Sequence, residues 1–202
     1  MNQNVIIIGA SGYGRVVADI VRCVGDRVLG FLDDRTDITQ WVGAPVLGPV
    51  SDYANYLDTP MIVAIGNQDI RQRIVETLKG VRWYTAIHPQ AVIAADATVG
   101  AGSAVMAGCI LNSGAEAGQH CILNTGAIIE HDCRIADYAH VSVGAKVAGT
   151  VCIGQKTWVG IGAVISNNLS VCENTVIGAG AVVVRTITES GTYVGVPARR
   201  IK

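Results

Sequence analysis

Three of the four histidines, His120, His131 and His140, fall within one stretch of the chain, and one of them lies between two acids in Ile129-Glu130-His131-Asp132-Cys133. An imidazole titrates near neutrality, so it can take a proton from an amine or a hydroxyl; a carboxylate beside it can orient the ring and raise its basicity. The same residues also read as a turn that carries a surface histidine. A second group lies near the start, where Gly9, Gly12 and Gly14 follow the apolar run Asn4-Val-Ile-Ile-Ile8 and precede Val16, Val17, Ile20, Val21 and Val24 at helical spacing. A glycine loop that opens a helix can hold phosphate oxygens on its backbone N–H groups. The pattern is G-x-x-G-x-G and not the dinucleotide fingerprint G-x-G-x-x-G, which weakens an NAD reading. A plain strand-to-helix turn would use the same glycines. Asp33 and Asp34 end the next apolar run, Val28–Leu32, where an acid can take a ribose hydroxyl or a base N–H, or simply face water.

What must position His131 is a repeat of six. From Ile93, every sixth residue up to Val183 is Ile, Val or Leu, with Ala117 the one departure among sixteen positions. Four residues after each comes a mostly small side chain, among them Ala97, Ser103, Cys109, Ala115, Cys121, Ala127 and Cys133. This period fits neither a helix nor a half-buried strand. It fits short strands joined by corners, three to a coil of eighteen, stacked as a hexapeptide parallel β-helix of about five coils. His131 is third in its hexad, at a corner, and can point outwards. Cys109, Cys121 and Cys133 take the small position on three different faces and read as core fillers.

Register also separates the histidines. His120, His131 and His140 stand eleven and nine residues apart, and neither spacing stacks at eighteen. Zinc needs three or four convergent ligands, so one chain does not assemble a histidine site; a site shared between chains stays open. If His131 and His140 serve one active site, they come from different chains. The repeat carries only nine charges, too few for a long prism wetted on all sides, so one face is expected to pack on copies of itself.

Ahead of the repeat, strands and helices alternate. Met61-Ile-Val-Ala-Ile65 ends in Gly66-Asn67 and leads to a helix with Ile70, Ile74, Val75 and Leu78, and Val81-Arg-Trp-Tyr84 reads as a last strand. This is a small parallel sheet with helices, half of a doubly wound nucleotide-binding fold. The boundary is expected at Ala86-Ile-His88-Pro89, giving a small α/β half-Rossmann-like domain over 1–85 and a β-helix domain over 86–202 that ends in a short basic segment. A net charge of −1 argues against nucleic-acid binding. No apolar run is long enough to span a membrane. The start lacks a signal-peptide pattern, so the expected address is cytoplasmic.

The glycine-loop half-domain, Ile87-His88-Pro89, the string from Asn124 to Gly149 and the closing Gly195-Val-Pro-Ala-Arg199 together resemble the hexapeptide-repeat sugar acetyltransferases related to the sialic acid O-acetyltransferases. The similarity is greatest to the nucleotide-sugar 4-amino N-acetyltransferases of bacterial surface-glycan pathways, of the bacillosamine type. The resemblance implies a left-handed β-helix, a homotrimer, acetyl-CoA as co-substrate with no metal, and a nucleotide-activated amino sugar as acceptor. It implies His131 as general base, Asp132 as its acid partner and Asn124 as a polar residue near the amine. His140, Gly149, Ile161 and Ala179 match positions lining acetyl-CoA. Ser11, Gly12, Tyr13, Asp33, Asp34 and Gly66 match the nucleotide-sugar site, with Tyr13 where many relatives have His. Transfer would be direct, with no acyl-enzyme. The alternatives are a sialic-acid-type O-acetyltransferase, a non-catalytic nucleotide sensor and a zinc β-helix hydratase.

Overall fold

The computed structural model describes residues 3–202, which form two compact units divided after Pro89. In the first unit the apolar run near the start is β1 (Asn4–Ile8), and α1 (Gly12–Cys23) follows directly. Then come β2 (Arg27–Leu32), β3 (Gln40–Trp41), β4 (Ala44–Gly48), a 3-10 turn over Val50–Tyr56, β5 (Met61–Val63) and α2 (Gln68–Thr77). The sheet order is β3-β4-β2-β1-β5, with β4, β2, β1 and β5 parallel and β3 antiparallel to β4. β1 lies inside the sheet, between β2 and β5, which is why four of its five residues are buried apolar side chains. Ile6, Ile8, Leu32, Met61, Val63 and Leu78 share one core cluster.

Two sequence expectations for this unit change. The strand expected over 61–65 stops at Val63, and Val81–Tyr84 forms a bridge only, between Trp83 and Met61. Two backbone bonds join them, Met61 N–H to Arg82 O and Tyr84 N–H to Met61 O, after which the Tyr84 hydroxyl turns away to bond Asp26 Oδ2 at 2.9 Å. The β3–β4 hairpin gave no sequence signal because its two-residue turn is Val42-Gly43. Both residues have positive φ, 41° and 79°, and a β-branched residue is a poor marker for that conformation.

The second unit is a three-sided left-handed parallel β-helix. The first face stacks Val92–Ile93, Ile110–Leu111, Ile128–Ile129, Lys146–Val147, Val164–Ile165 and Val182–Val183. The second runs from Thr98–Val99 through Glu116–Ala117, Arg134–Ile135 and Cys152–Ile153 to Ser170–Val171. The third carries Ala104–Val105, Ile122–Leu123, His140–Val141, Trp158–Val159, Val176–Ile177 and Thr192–Val194. Partners in register are eighteen apart, as in Ile110 with Val92 and with Ile128. The second residue of nearly every dipeptide points inwards and is buried, while the first points out. Cys109, Cys121 and Cys133 are buried free thiols, one beside each face.

The corners follow a rule that the small-residue pattern does not express. The fourth hexad position takes a left-handed backbone, with φ of 74° at Gly102, 68° at Gly108, 71° at Gly114 and 66° at Gly126. Asp132, at 58°, Asn168, at 59°, and Asn174, at 55°, occupy the same place. Glycine, Asn and Asp are the residues that adopt this conformation most cheaply. Asp132 is therefore suited by its backbone to the corner that it shares with His131.

Candidate active site

The corner between the first and second faces holds His131 and Asp132, both exposed. His131 Nδ1 lies 2.8 Å from Asp132 Oδ2. A carboxylate only accepts, so Nδ1 carries the proton and Nε2 keeps a lone pair for use as a base. The pair rests on two glycines of neighbouring coils. A Cβ built on Gly114 would stand 2.7 Å from Asp132 Oδ1, and one on Gly149 would stand 2.4 Å from His131 Nε2. Gly149 lacks a positive φ, so alanine suits its backbone, and the nearest atoms its Cβ would meet all belong to the imidazole. Gly149→Ala should fold normally and lower kcat by roughly tenfold to 10²-fold, the scale on which a misplacement of about 1 Å acts. Steady-state kinetics against both substrates checks this; a raised KM with unchanged kcat would limit Gly149 to lining a bound ligand.

His140 and Asn124 meet elsewhere. Asn124 Nδ2 lies 3.2 Å from His140 Nε2, and the His140 ring stacks on Trp158 with centroids 6.0 Å apart. Trp158 Nε1 donates to Ser142 Oγ at 2.7 Å. With Asn124 donating, the Nε2 lone pair of His140 is engaged, and the ring is packed and not poised as a base. The two histidines are thus told apart by their partners, a carboxylate for His131 and an amide for His140. Asn124 begins the corner between the third and first faces. Ile161 and Ala179, both exposed, stand on later turns of that same corner. One chain therefore brings His131, Asp132 and Gly149 together, and separately Asn124 with His140. The width of the first face lies between the two groups.

The cysteine that follows Asp132 is turned into the prism. The Cys133 sulfhydryl is buried and donates to Ala148 O at 3.1 Å, and burial pushes its pKa up. Burial likewise raises the Cys109 thiol to about 12. A thiol held protonated and pointed into the prism is no nucleophile.

In the first unit the glycines of the loop divide by task. Gly9 has a φ of 108°, and a Cβ on Gly14 would meet Gly9 O at 2.1 Å, so the turn itself requires both. A Cβ on Gly12 would meet nothing within 4 Å. The fold does not need a glycine there, and the start of α1 opens on free space at this position. Ser11 caps α1, its Oγ accepting from Gly14 N–H at 3.3 Å, and no acid stands in the first turn of the helix. Tyr13 lies within that first turn.

Asp33 does more than face water. Its Oδ2 accepts from Ala10 N–H at 2.7 Å, and its Oδ1 pairs with Arg35 Nε at 3.0 Å. Burial alone would raise its pKa, but the bonds from Arg35 and Ala10 outweigh this and hold the carboxyl below the usual range. Arg35 also bonds Ala10 O, so the two side chains together fix the loop before α1. Asp34 Oδ1 accepts from Val50 N–H at 2.9 Å. Gly66 follows β5 in a loop held from below by the buried Arg71, which donates to Ile65 O at 2.8 Å and Gly66 O at 3.0 Å. A cavity of about 410 Å³ opens among Gly9, Asp33, Asp34, Arg35, Ile65 and Arg73. It lies at the carboxyl ends of β1, β2 and β5, where open parallel sheets bind ligands. Arg35 and Arg73 were not singled out from sequence; the Asp-Asp-Arg run was the available signal for the first.

Known proteins resemble this chain over its first unit and over its whole length. Residues 4–78 match the family model described as the PglD N-terminal domain. The GDP-perosamine N-acetyltransferase of Escherichia coli O157:H7 is 33% identical over 156 residues, spanning 73% of this chain and 71% of that protein. The acetyltransferase domain of PglB from Neisseria gonorrhoeae FA1090, solved in complex with acetyl coenzyme A, superposes with a TM-score of 0.95 at 34% identity, covering 100% of both chains. PerB from Caulobacter crescentus, solved with CoA and GDP-perosamine, gives a TM-score of 0.92 at 34% identity, over 98% of this chain and 97% of that one.

Proposed function

Because this chain belongs to the PglD-type family of sugar-nucleotide N-acetyltransferases, we propose that its two units divide one reaction, the first holding a nucleotide-linked amino sugar and the β-helix carrying the acetyl transfer. The protein is an acetyl-CoA-dependent N-acetyltransferase acting on an amino sugar. The 4-amino group is the acceptor in our reading, in a pathway that builds surface glycans. The observation that carries the catalytic assignment is the His131–Asp132 pair, with Nδ1 tied to a carboxylate at 2.8 Å and Nε2 left basic.

A protonated amine has no lone pair for attack. Nε2 of His131 takes a proton from the sugar ammonium or from the attacking nitrogen, and Asp132 steadies the imidazolium that results. The amine nitrogen bonds the thioester carbonyl carbon, the carbonyl electrons move to oxygen, and collapse expels the CoA thiolate, which leaves as the thiol once protonated. The buried thiols support direct attack over an acyl-enzyme. Asn124, His140, Gly149, Ile161 and Ala179 are assigned to the acetyl-CoA side. Gly12 and Tyr13 at the N-terminus of α1, beside Ser11, are assigned to the diphosphate. Asp34 and Gly66 take the nucleoside end, and Asp33 acts there by shaping the loop.

The two prism clusters suit one site only if it is shared between chains. Support comes from the first face, which both corners border. Its outward column is Val92, Ile110, Ile128, Lys146, Val164 and Val182, five branched aliphatics and one cation. The second face presents Thr98, Glu116, Arg134, Cys152 and Ser170 instead. A homotrimer with three first faces turned to a common axis would set the His131 corner of each chain against the Asn124 corner of the next. No helix among the described residues is long and apolar enough to cross a membrane; a cytoplasmic address is part of this proposal.

The deciding experiment incubates the protein with acetyl-CoA and a panel of UDP-, dTDP- and GDP-linked 4-amino sugars. One product should gain a single acetyl group that survives mild alkali, as an amide does. An alkali-labile product would mark O-acetylation, and binding of a nucleotide without CoA binding would mark a sensor.

A further inference from the structure

We infer that Asp19, Cys23 and His88 form a binding site for a divalent metal ion of zinc's type, apart from the residues assigned to acetyl transfer. Asp19 and Cys23 stand four residues apart on the exposed side of α1, so their side chains are neighbours along the helix. The chain returns to this helix at the short segment Ala86–Ile87, which packs on α1, and His88 follows at once. A carboxylate oxygen of Asp19, Cys23 Sγ and a ring nitrogen of His88 all lie within 4.8 Å of one another, the one such grouping of three among the described residues.

The donor set and its place in the fold both suit a cation. Zinc accepts oxygen, nitrogen and sulfur together, with three protein donors and a water where the site is open, whereas calcium and magnesium take oxygen. Bonds of about 2.0–2.3 Å put tetrahedral donors roughly 3.3–3.6 Å apart. Closing from the observed spacing needs shifts of about 1 Å, within reach of side-chain rotation on an exposed helix face. Cys23 is the last residue of α1, where the negative end of the helix dipole favours a positive charge. A bound ion would tie the end of α1, whose other end forms the glycine loop, to the segment after Ala86–Ile87. Its role would be that of a clamp on the first unit.

The test uses the full chain, freed of metal by a chelator and titrated with Co²⁺ and then Zn²⁺. A thiolate-to-cobalt charge-transfer band in the near ultraviolet should saturate at one equivalent per chain and vanish as zinc displaces cobalt. Cys23→Ser should abolish the band. His88→Ala and Asp19→Asn should each weaken binding by at least about tenfold, since loss even of outer partners costs a metal site that much. Zinc should raise the melting temperature of the wild type and not that of Cys23→Ser. Asp19→Asn, an exposed isosteric change, keeps the test valid should His88→Ala fold poorly. Absence of the band, or binding unaltered in Cys23→Ser and Asp19→Asn, would overturn the site.

Discussion

Replacing His131 by alanine should lower kcat by about 10²-fold or more while KM for acetyl-CoA stays near its wild-type value, because a positioned general base supplies about 10²–10⁴-fold. The imidazole is exposed and belongs to no packed core, so the variant should melt at the wild-type temperature. Asp132→Asn should lose less. An amide at that place can still accept the Nδ1–H bond, but it does not stabilise the imidazolium. The size of the first effect separates His131 from His140. His140, held by Asn124 and stacked on Trp158, should show its loss in acetyl-CoA binding and not in the proton transfer. Unchanged turnover in the His131 variant would remove the base from the mechanism.

A charge placed on the first face should be as damaging, by a different route. Ile128→Asp together with Val164→Asp puts two carboxylates in the middle of the aliphatic column without touching Ile129 or Ile165, the inward residues that fill the prism. Burying an unpaired charge costs several kcal/mol, repeated in every copy, so association should fail while the coils remain. Sedimentation should give a folded monomer, and activity should fall by at least about 10²-fold if the site needs two chains. A monomer with full activity would mean that one chain makes the whole site.

Much of this was legible beforehand because the prism writes its register into the sequence. One aliphatic every six residues fixed the coil, sent Cys133 inwards and set His131 at a corner, and the strand pairing at eighteen agrees with that count. The repeat hid what lies on the outside. The first residue of each strand dipeptide varies, and only stacking shows that Val92, Ile110, Ile128, Val164 and Val182 form a single column. The left-handed corner was missed for a related reason. Glycine shares it with Asp132, Asn168 and Asn174 but also with His120, Tyr138, Thr150 and Lys156, so no single residue type marks it in the sequence. In the first unit the helices and the central strands followed from periodicity. The Val42-Gly43 hairpin carried no turn signature, and Asp33 gave no sign that Ala10 and Arg35 would engage it. Long-range partners of that kind are set by the packing of the sheet and not by neighbours in the chain.

The central claim is that His131 of one chain works with the acetyl-CoA groove of another. Subunit mixing tests it most directly. His131→Ala lacks the base, and Ile161→Glu puts a charge into the exposed apolar corner assigned to acetyl-CoA; each should be nearly inactive alone. Refolded together in equal amounts, they should regain up to about a quarter of wild-type activity, because random assembly pairs an intact base with an intact neighbouring groove at that frequency. A mixture as inactive as its two components would place both groups in the same chain and contradict the shared site.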